Sequence, residues 1–502
     1  MPGSSPSVLG LDVGTSSVKA ILFRAGQGIV AEERTAYSTF IPRPGWAEQD
    51  GDEVLAAVMA GVRRLVERAG IAPGEVSALA LDGIWQSLLP LDGGGRPLCR
   101  ALTWADQRAA PQAAALAAEL DVEDLRATTG CSLHPMYGLP RLLWFRDERP
   151  ELFRRTERFA TIKEYLLTRL FGPKVVDLAT ASGSGLWNLR TRDWDRQLLS
   201  LANTSADRFA PCVEPTTLLP GLLPEVSREM GLLCGTPGVA GAADGAAAHL
   251  GAVGLGSDRL SLSVGTSAAL RLRLDAPRVT PGSGAWCYYL AEGNWLAGGV
   301  LHAGGNLLRW LAEEVLGSAE ATLSTMDATI EALVNEAGAV PPGADGLCFL
   351  PLLSGERCPV DRPDLRGALR GLGFHHGRRH LVRALLEGSA YAMYAIYRML
   401  AAGEAPEPVV TGGILTSPVW LSIVADLFGR RLWIPSIPES AAFGSVLMGL
   451  KGIGACASLS EASRFVTTAG LVEADPDRQR AYLPVREAYD RLHAELLRDP
   501  GT

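Results

Sequence analysis

One short pattern occurs twice in this chain, about half a chain length apart. VLGLDVGTSSVKAILF (8–23) and RLSLSVGTSAALRLRL (259–274) each place Gly-Thr-Ser between two runs of alternating branched residues. Each segment predicts a strand, a tight turn and a second strand. Gly14 and Gly265 open the two turns at an offset of 251 in a chain of 502 residues. The repeat predicts two similar lobes that each begin with this unit.

Strand and helix patterns alternate in both halves. A helical face follows Asp50-Gly51-Asp52, VSALALDG (76–83) predicts a strand, and a long helix is predicted around 377–402. PVVTGG then predicts a strand, and Pro418 suits the first turn of another helix. This alternation favours an α/β fold with central sheets.

The boundary between the lobes is predicted near 250–258, where AVGLGSD reads as a linker. We therefore expect one domain over 1–250 and a second over 251–502. Each is large enough to bury its own core.

Composition and charge narrow the classes of partner. The formal charge of −8, without a basic stripe, argues against nucleic acid. No run of 18 apolar residues occurs, which argues against a membrane span. The eight Cys are dispersed and form no C-x-x-C, a usage typical of a reducing compartment. The expected location is the cytoplasm.

The repeated turns suggest phosphate binding. Backbone N–H groups and hydroxyls of a Gly-Thr-Ser turn can form a cradle for phosphate oxygens, and two turns could hold one polyphosphate across a cleft. Asp12 precedes the first turn, where a carboxylate can hold a hydrated Mg²⁺. Lys19 follows it, either as a phosphate ligand or as a solvated strand end.

Three further segments carry candidate site residues. TGGILTS (411–417) and AGGNLLRW (303–310) each place glycines before a helix, although Ser417 could simply cap its helix. Asp244 lies in the small-residue segment GVAGAADGAAAHLGAVG. It is either a helix cap or a general base that accepts the proton of an alcohol during phosphoryl transfer.

These motifs, in this order and spacing, resemble the FGGY family of carbohydrate kinases over nearly the whole chain. RPGWAEQD, ALTWADQR, LPLLSGERCP and AAFGSVLMGL add to the likeness. The resemblance implies two ribonuclease-H-like (actin-like ATPase) domains, with ATP, Mg²⁺ and a sugar bound in the cleft between them. It implies phosphate roles for Asp12 (also the metal ligand), Gly14, Thr15, Ser16 and Lys19, nucleotide contacts for Gly265, Thr266, Gly305, Gly412, Gly413 and Ser417, and the base role for Asp244.

Within the family the likeness is strongest to gluconokinases, through TGCSLHPMYGLPRLLW (129–144) and DLATASGSGLWNLRTRDWD (177–195). The implied acceptor site consists of Trp85, Gln86, Trp104, His134 and Asp244. The chain departs from the pattern at Trp85-Gln86, where Met-His is common, at GERCPVDRP, which lacks the usual Trp, and at Ile423, which replaces a common Gln.

The expected reaction is transfer of the γ-phosphate of ATP to gluconate, giving 6-phosphogluconate. Xylulose, or another ketose or polyol, is the alternative acceptor, and an actin-like ATPase without a sugar substrate is the alternative class. The expected partners are ATP and a sugar acid or sugar, with no nucleic acid and no membrane; a homodimer is left open. For His134 the alternative to substrate contact is a solvent-exposed loop residue. Lys163 is expected to be a charge on a helix surface.

Overall fold

The structure, a computed structural model, describes residues 5–256, 258–317 and 323–498. Ser257, within the expected linker, therefore lies outside the described residues. The strands of the first half are β1 (Ser7–Val13), β2 (Ser17–Arg24), β3 (Gly28–Ala36), β4 (Glu48–Gln49), β5 (Ala78–Gly83), β6 (Leu89–Leu91), β7 (Ala101–Leu102), β8 (Arg158–Ala160), β9 (Val176–Asp177), β10 (Trp187–Asn188), β11 (Asp193–Trp194), β12 (Cys212–Val213), β13 (Leu218–Gly221) and β14 (Pro237–Val239). Its helices are α1 (Gly51–Ala69), α2 (Ala110–Glu119), α3 (Val122–Thr129), α4 (Gly138–Glu148), α5 (Pro150–Arg155), α6 (Ile162–Phe171), α7 (Leu178–Ser182), α8 (Arg196–Leu201), α9 (Pro224–Met230) and α10 (Asp244–Val253).

The second half follows the same style of alternation. Its strands are β15 (Leu260–Val264), β16 (Ala268–Leu274), β17 (Trp286–Ala291), β18 (Asn294–Leu301), β19 (Cys348–Leu350), β20 (Ala368–Arg370), β21 (Pro408–Thr411), β22 (Leu432–Pro435) and β23 (Thr468–Val472). Its helices are α11 (Gly305–Trp310), α12 (Leu323–Gly338), α13 (Arg378–Ala401), α14 (Pro418–Phe428), α15 (Ser440–Gly452), α16 (Leu459–Ala462) and α17 (Pro476–Arg498).

The two central sheets share one topology. The first has the order β13-β14-β5-β1-β2-β3, with β1, β2 and β3 antiparallel and β5 and β14 parallel to β1. The second has the order β17-β18-β16-β15-β21-β22-β23, with β15, β16 and β18 antiparallel and β21 and β22 parallel to β15. The repeated turn therefore joins equivalent strands, β1 to β2 and β15 to β16. The two-lobed α/β fold predicted from the repeat is confirmed.

Local chemistry explains the predicted helix after the first meander. Asp50 accepts hydrogen bonds from the N–H groups of Asp52 (3.0 Å) and Glu53 (3.2 Å), which caps α1. Gly70, at φ 62°, ends the helix in the left-handed conformation. Its buried face consists of Val54, Leu55, Val58, Val62, Leu65 and Val66. This face packs on β2 and β3 and supports the first turn from behind.

Two helices are exchanged between the lobes. α10, from the first half, packs against β15 and β21, whereas α15, from the second half, packs against β1 and β5. Their crossing is close, because a Cβ added at Gly444 would lie 1.9 Å from the carbonyl oxygen of Ala247, and one at Gly251 would lie 1.9 Å from that of Ser440. Only glycine permits such contact. Asp244, the first residue of α10, is thereby held between the two sheets.

The domain limits 1–250 and 251–502 stay a prediction, and α10 runs through that boundary to Val253. The helices of the exchange share one apolar core with Val8, Ile21 and Phe23 of the first sheet. A second core, rich in aromatic residues, fills the segment between β6 and β12. No helix in the described ranges is long and apolar enough to cross a bilayer.

Candidate active site

The first turn is anchored by hydrogen bonds to its backbone. The N–H of Gly14 donates to the carbonyl of Ser17 (3.1 Å), and the hydroxyl of Thr39 donates to the carbonyl of Thr15 (2.7 Å). The indole N–H of Trp104 donates to Thr15 Oγ1 (3.1 Å). These bonds fix the turn, while Ser16 remains exposed at its tip.

Two carboxylates lie side by side where β1 and β5 end. Asp12 and Asp82 are paired in the parallel register, so their side chains point to the same face. The side chain of Asp12 is partly exposed and its Oδ2 lies 3.9 Å from Lys19 Nζ on β2. Asp82 is fully buried beneath it, accepts a hydrogen bond from Ser445 Oγ (3.0 Å), and leaves Oδ1 with no partner in the described part of the chain.

Burial raises the pKa of Asp12, and the charge of Lys19 opposes that shift. Burial also raises the pKa of Asp82 well above its ordinary value, and the charges of Asp12 and Asp244 add to it. Like charges this close disfavour double ionisation. The sequence analysis missed Asp82, because its strand pattern was visible but its register beside Asp12 was not.

Asp244 faces the same space from α10. Its Oδ1 accepts hydrogen bonds from the N–H groups of Gly245 (2.7 Å) and Trp85 (3.4 Å). Its Oδ2 accepts none from the described residues, and so is free to take a proton. Burial raises the pKa of Asp244 to about 6; the charge of Asp12 raises it further, whereas Arg271 opposes the shift. A carboxylate with such a pKa is ionised at neutral pH and basic enough for general-base catalysis.

The second turn lies between two cavities. The N–H of Gly305 donates to the carbonyl of Gly265 (2.7 Å), which holds the start of α11 against the turn. A cavity of about 850 Å³ opens on one side. Five of the predicted nucleotide residues line it, namely Gly265, Thr266, Gly305, Gly413 and Ser417.

The sixth predicted nucleotide residue, Gly412, precedes Gly413 of the cavity wall. Gly412, at φ 90°, lies so close to the strand that a Cβ there would be 2.5 Å from the carbonyl oxygen of Val264. Ser417 accepts a hydrogen bond from the N–H of Trp420 (3.2 Å), so it also caps α14. The cavity wall includes residues that the sequence analysis did not single out: Asn306, Arg309, Asp327, Glu331, Asn335 and Trp420.

A second cavity, of about 270 Å³, opens on the other side of the turn, where Ser267 contributes to its wall. Thr15, Trp85, Gln86, Trp104 and Asp244 line it from the first half of the chain. Ser267, Ala269, Arg271, Trp286, Tyr288, Val300, His302 and Arg357 line it from the second half. Because consecutive residues Thr266 and Ser267 face different cavities, a phosphate held at this turn lies between the two.

The predicted acceptor residues differ in how they take part. The indole of Trp85 donates to the carbonyl of Ala179 (2.9 Å), and its ring packs against Trp286 and Tyr288 at 5.3 and 5.0 Å. Gln86, at φ 53°, directs its amide N–H to the carbonyl of Gly183 (3.1 Å). Its donor is therefore already used within the protein.

His134 is not among the residues that line the second, smaller cavity. Its Nδ1 accepts a hydrogen bond from the N–H of Met136 (3.2 Å), which leaves the proton of the neutral ring on Nε2. Burial lowers the pKa of His134 to about 3, and the nearby charge of Arg357 contributes. It is a neutral donor behind the cavity wall.

The expectation that Lys163 is a surface charge is wrong. The residue is buried, and its Nζ donates to Asp177 Oδ2 (2.6 Å) and to the carbonyl of Ala242 (2.8 Å). Gly83 leaves room for it, since a Cβ there would lie 2.9 Å from Lys163 Cβ. Lys163 thus ties α6 to the segment immediately before Asp244.

Two lobes of one topology, each with a Gly-Thr-Ser turn at the cleft, and a carboxylate beside the smaller cavity are the arrangement expected of a phosphotransferase of the actin-like fold. Family models of the N-terminal and C-terminal domains of FGGY carbohydrate kinases match residues 7–251 and 260–453. The chain belongs to the FGGY family of carbohydrate kinases, whose members transfer phosphate from ATP to an alcohol group with the help of a divalent metal.

Characterised relatives cover nearly the whole chain. A gluconokinase of Bacillus subtilis is 32% identical over 463 residues, which is 91% of this chain and 90% of that protein. A xylulose kinase of Escherichia coli is 30% identical over 497 residues, 97% of this chain and 99% of that protein. The crystal structure of gluconate kinase from Lactobacillus acidophilus superposes with a TM-score of 0.92 at 26% identity, covering 99% of both chains.

Proposed function

We propose that this kinase transfers the γ-phosphate of ATP to the terminal hydroxyl of gluconate. The observation that carries the proposal is the charge of the smaller cavity, which we call the acceptor cavity. The guanidinium groups of Arg271 and Arg357 both reach its wall. Neither forms an ion pair within 4.0 Å with a carboxylate of the described residues. A cavity with unpaired positive charge favours an anionic acceptor over a neutral sugar. The likeness to gluconokinases supports the same assignment.

The proposed positions of the two substrates follow from the cavities. ATP occupies the larger cavity, with its phosphates at Thr266 and directed toward Thr15, which lines the smaller cavity. Lys19, whose Nζ lies 3.9 Å from Asp12 Oδ2, is the proposed phosphate ligand beside the first turn. The acceptor occupies the smaller cavity with one hydroxyl at Asp244. Transfer takes place across the Thr266–Ser267 turn, where the cavities meet.

Asp244 is the proposed general base. The acceptor hydroxyl attacks the γ-phosphorus, its proton moves to Oδ2 of Asp244, a new P–O bond forms, and the bond to the leaving ADP breaks. The hydrogen bonds from Gly245 and Trp85 hold Oδ1 and thus orient the carboxylate. Its pKa of about 6 suits this role at neutral pH.

Asp12 is the proposed magnesium residue. Mg²⁺ is usually held by one or two carboxylates together with substrate phosphates and water. The partly exposed carboxylate of Asp12, beside the first turn, fits that pattern. Among the described residues, no group of three or more His, Cys, Asp or Glu could hold an ion unaided. When bound, the ion neutralises charge on the β- and γ-phosphates. The cytoplasmic location and a homodimer stay predictions.

A panel of acceptors tests the proposal. With purified enzyme, ATP and Mg²⁺, ADP release is measured on gluconate, xylulose, ribulose and glycerol at equal concentrations. We expect kcat/KM for gluconate to exceed that for xylulose by at least about 100-fold, a floor below the roughly 10⁴-fold discrimination of sites whose buried polar groups lose their partners. If xylulose or another neutral acceptor is preferred, the gluconate assignment fails and the xylulokinase alternative takes its place.

A further inference from the structure

Strand β16 leads away from the second Gly-Thr-Ser turn and forms part of the wall of the acceptor cavity. Ser267 and, at alternate positions beyond it, Ala269 and Arg271 share one face of the sheet and all line the cavity. Four residues of strand separate the backbone of Arg271 from that of Ser267, a distance of about 13 Å. The Cα of Arg271, from which its long charged side chain extends, therefore lies well away from the turn that is proposed to hold the phosphates.

The donors of Arg271 are poorly used within the protein. Nε is buried and has no hydrogen-bond partner in the described part of the chain, and Nη1 reaches only Ser263 Oγ, at 3.5 Å. Five N–H groups in a fixed fork are thus served by one long contact. Burial lowers the pKa of Arg271, an effect that the charge of Asp244 opposes.

Asp244 does not meet the need of this guanidinium. It acts on Arg271 through its charge, but no N–O distance between them falls within 4.0 Å. A direct ion pair would also occupy the oxygen that the proposed reaction needs for the proton. A buried charge without a partner is costly. An anion bound at the end of the guanidinium that lines the cavity would supply that partner.

The surroundings favour a planar carboxylate. Trp286 stands beside Arg271, its ring lying over Gly298, the residue opposite Arg271 on β18. Trp85 packs against that ring. Aromatic walls exclude water, which strengthens an ion pair formed between them. Guanidinium and carboxylate groups match in a two-bond, fork-to-fork geometry.

We infer that Arg271 binds the carboxylate of the acceptor and is the residue that selects a sugar acid over a neutral sugar. Arg357 is the other cation of the cavity, and its charge acts on Tyr137, His134 and His302. Unlike Arg271, it has no buried donor atom left without a partner in the described part of the chain. Arg357 is partly exposed, so water can serve its donors when no ligand is bound. The inference rests on the proposed function, since only an acidic acceptor supplies the missing partner.

The test compares gluconate with gluconamide, which has the same carbon chain and hydroxyls but no charge. We expect the wild-type enzyme to prefer gluconate in kcat/KM, and Arg271→Met to lower kcat/KM for gluconate by about 10- to 100-fold, the range for a hydrogen bond to a charged group. For gluconamide we expect a change of less than about threefold on the same scale. Any effect of the substitution on Asp244 itself changes both substrates equally and cancels in the ratio.

Three variants make the comparison specific. Arg273→Met is the matched control, because Arg273 lies on the same face of β16 but is bonded to Asp275 and Asn294 (2.6 Å each) and does not line the cavity. It should leave both substrates unchanged. Arg271→Lys should restore part of the preference by keeping the charge. Arg357→Met should leave the preference for gluconate over gluconamide in place.

The outcomes separate the two proposals. A wild-type enzyme that prefers xylulose to gluconate overturns the proposed function before any variant is made. A wild-type enzyme that prefers gluconate, combined with an Arg271→Met variant that keeps the full gluconate-to-gluconamide ratio, overturns the assignment to Arg271 alone. Loss of that ratio in Arg357→Met with retention in Arg271→Met moves the carboxylate site to the opposite wall. An unchanged KM for ATP and an unchanged melting temperature show that each variant is folded.

Discussion

Replacement of Asp244 by Asn removes the proposed base while keeping the shape of the side chain. The amide can still accept through its oxygen from the N–H groups of Gly245 and Trp85, so the start of α10 is preserved. It cannot take up the proton of the acceptor hydroxyl. General-base assistance is worth about 10²- to 10⁴-fold, so kcat at pH 7.5 should fall by that factor. The KM for ATP should change little, because the nucleotide cavity lies on the other side of the turn.

The pKa of Asp244 gives this prediction a second signature. Burial raises that pKa to about 6, and only the ionised carboxylate acts as a base. In the wild-type enzyme, kcat/KM should therefore be flat above pH 7, fall to about half at pH 6, and reach about a tenth at pH 5. The Asn variant should lack this acidic limb. The ratio of wild-type to variant activity should thus be about ten times smaller at pH 5 than at pH 7.5.

The assay is ADP release over pH 5 to 8 with gluconate as acceptor. Asp124→Asn is the control, since Asp124 is an exposed carboxylate at the start of α3 and lines neither of the two cavities. It should reproduce the wild-type profile. An Asp244→Asn variant that retains near-normal turnover, or that keeps an acidic limb centred near pH 6, would refute the role of Asp244, because another group would then be titrating.

Three further predictions concern the metal, the buried ion pair and the motion of the lobes. Asp12→Ala should raise the Mg²⁺ concentration required for half-maximal activity and slow transfer; superimposable Mg²⁺ titrations of variant and wild type would make Asp12 structural. Lys163→Met leaves Asp177 charged and buried, so denaturation followed by tryptophan fluorescence should show a loss of about 3–5 kcal/mol, whereas the exposed Lys174→Met should be neutral; equal midpoints would contradict this. Small-angle scattering should show a smaller radius of gyration with a non-hydrolysable ATP analogue plus gluconate than without ligands, and an unchanged radius would argue against closure.

The parts of the fold that sequence reasoning predicted are those specified by neighbouring residues. The alternation around Gly-Thr-Ser determines two strands and their turn without help from distant segments, and it does so in both lobes. Asp50 and Gly70 mark the ends of α1 by the same local chemistry. The common strand order of the two central sheets agrees with the two similar lobes that the repeat predicts.

The residues that were missed or misread depend on contacts across the chain. In the sequence, Asp82 is distinguished only by its place near the end of a predicted strand. Its proximity to Asp12, 70 positions earlier, follows from the parallel register of β1 and β5. Arg271 lies in a predicted strand, but which face of that strand meets the cavity is decided by α10 packing on the second sheet. Lys163 can be buried because its ammonium group donates hydrogen bonds to Asp177 and to the carbonyl of Ala242. These partners are distant in the sequence, and no spacing of residues predicts that they are in contact.

The glycine contacts between α10 and α15 have a mechanical consequence. Where backbone meets backbone, at Gly251 and Gly444, there are no interlocking side chains that must change rotamer when one helix turns against the other. We expect this crossing to be the pivot of lobe closure, since each helix packs on the sheet of the opposite lobe. Displacement grows with distance from a pivot. Opening of the cleft about this pivot should therefore move its mouth more than Asp244, which lies seven residues from Gly251 on the same helix.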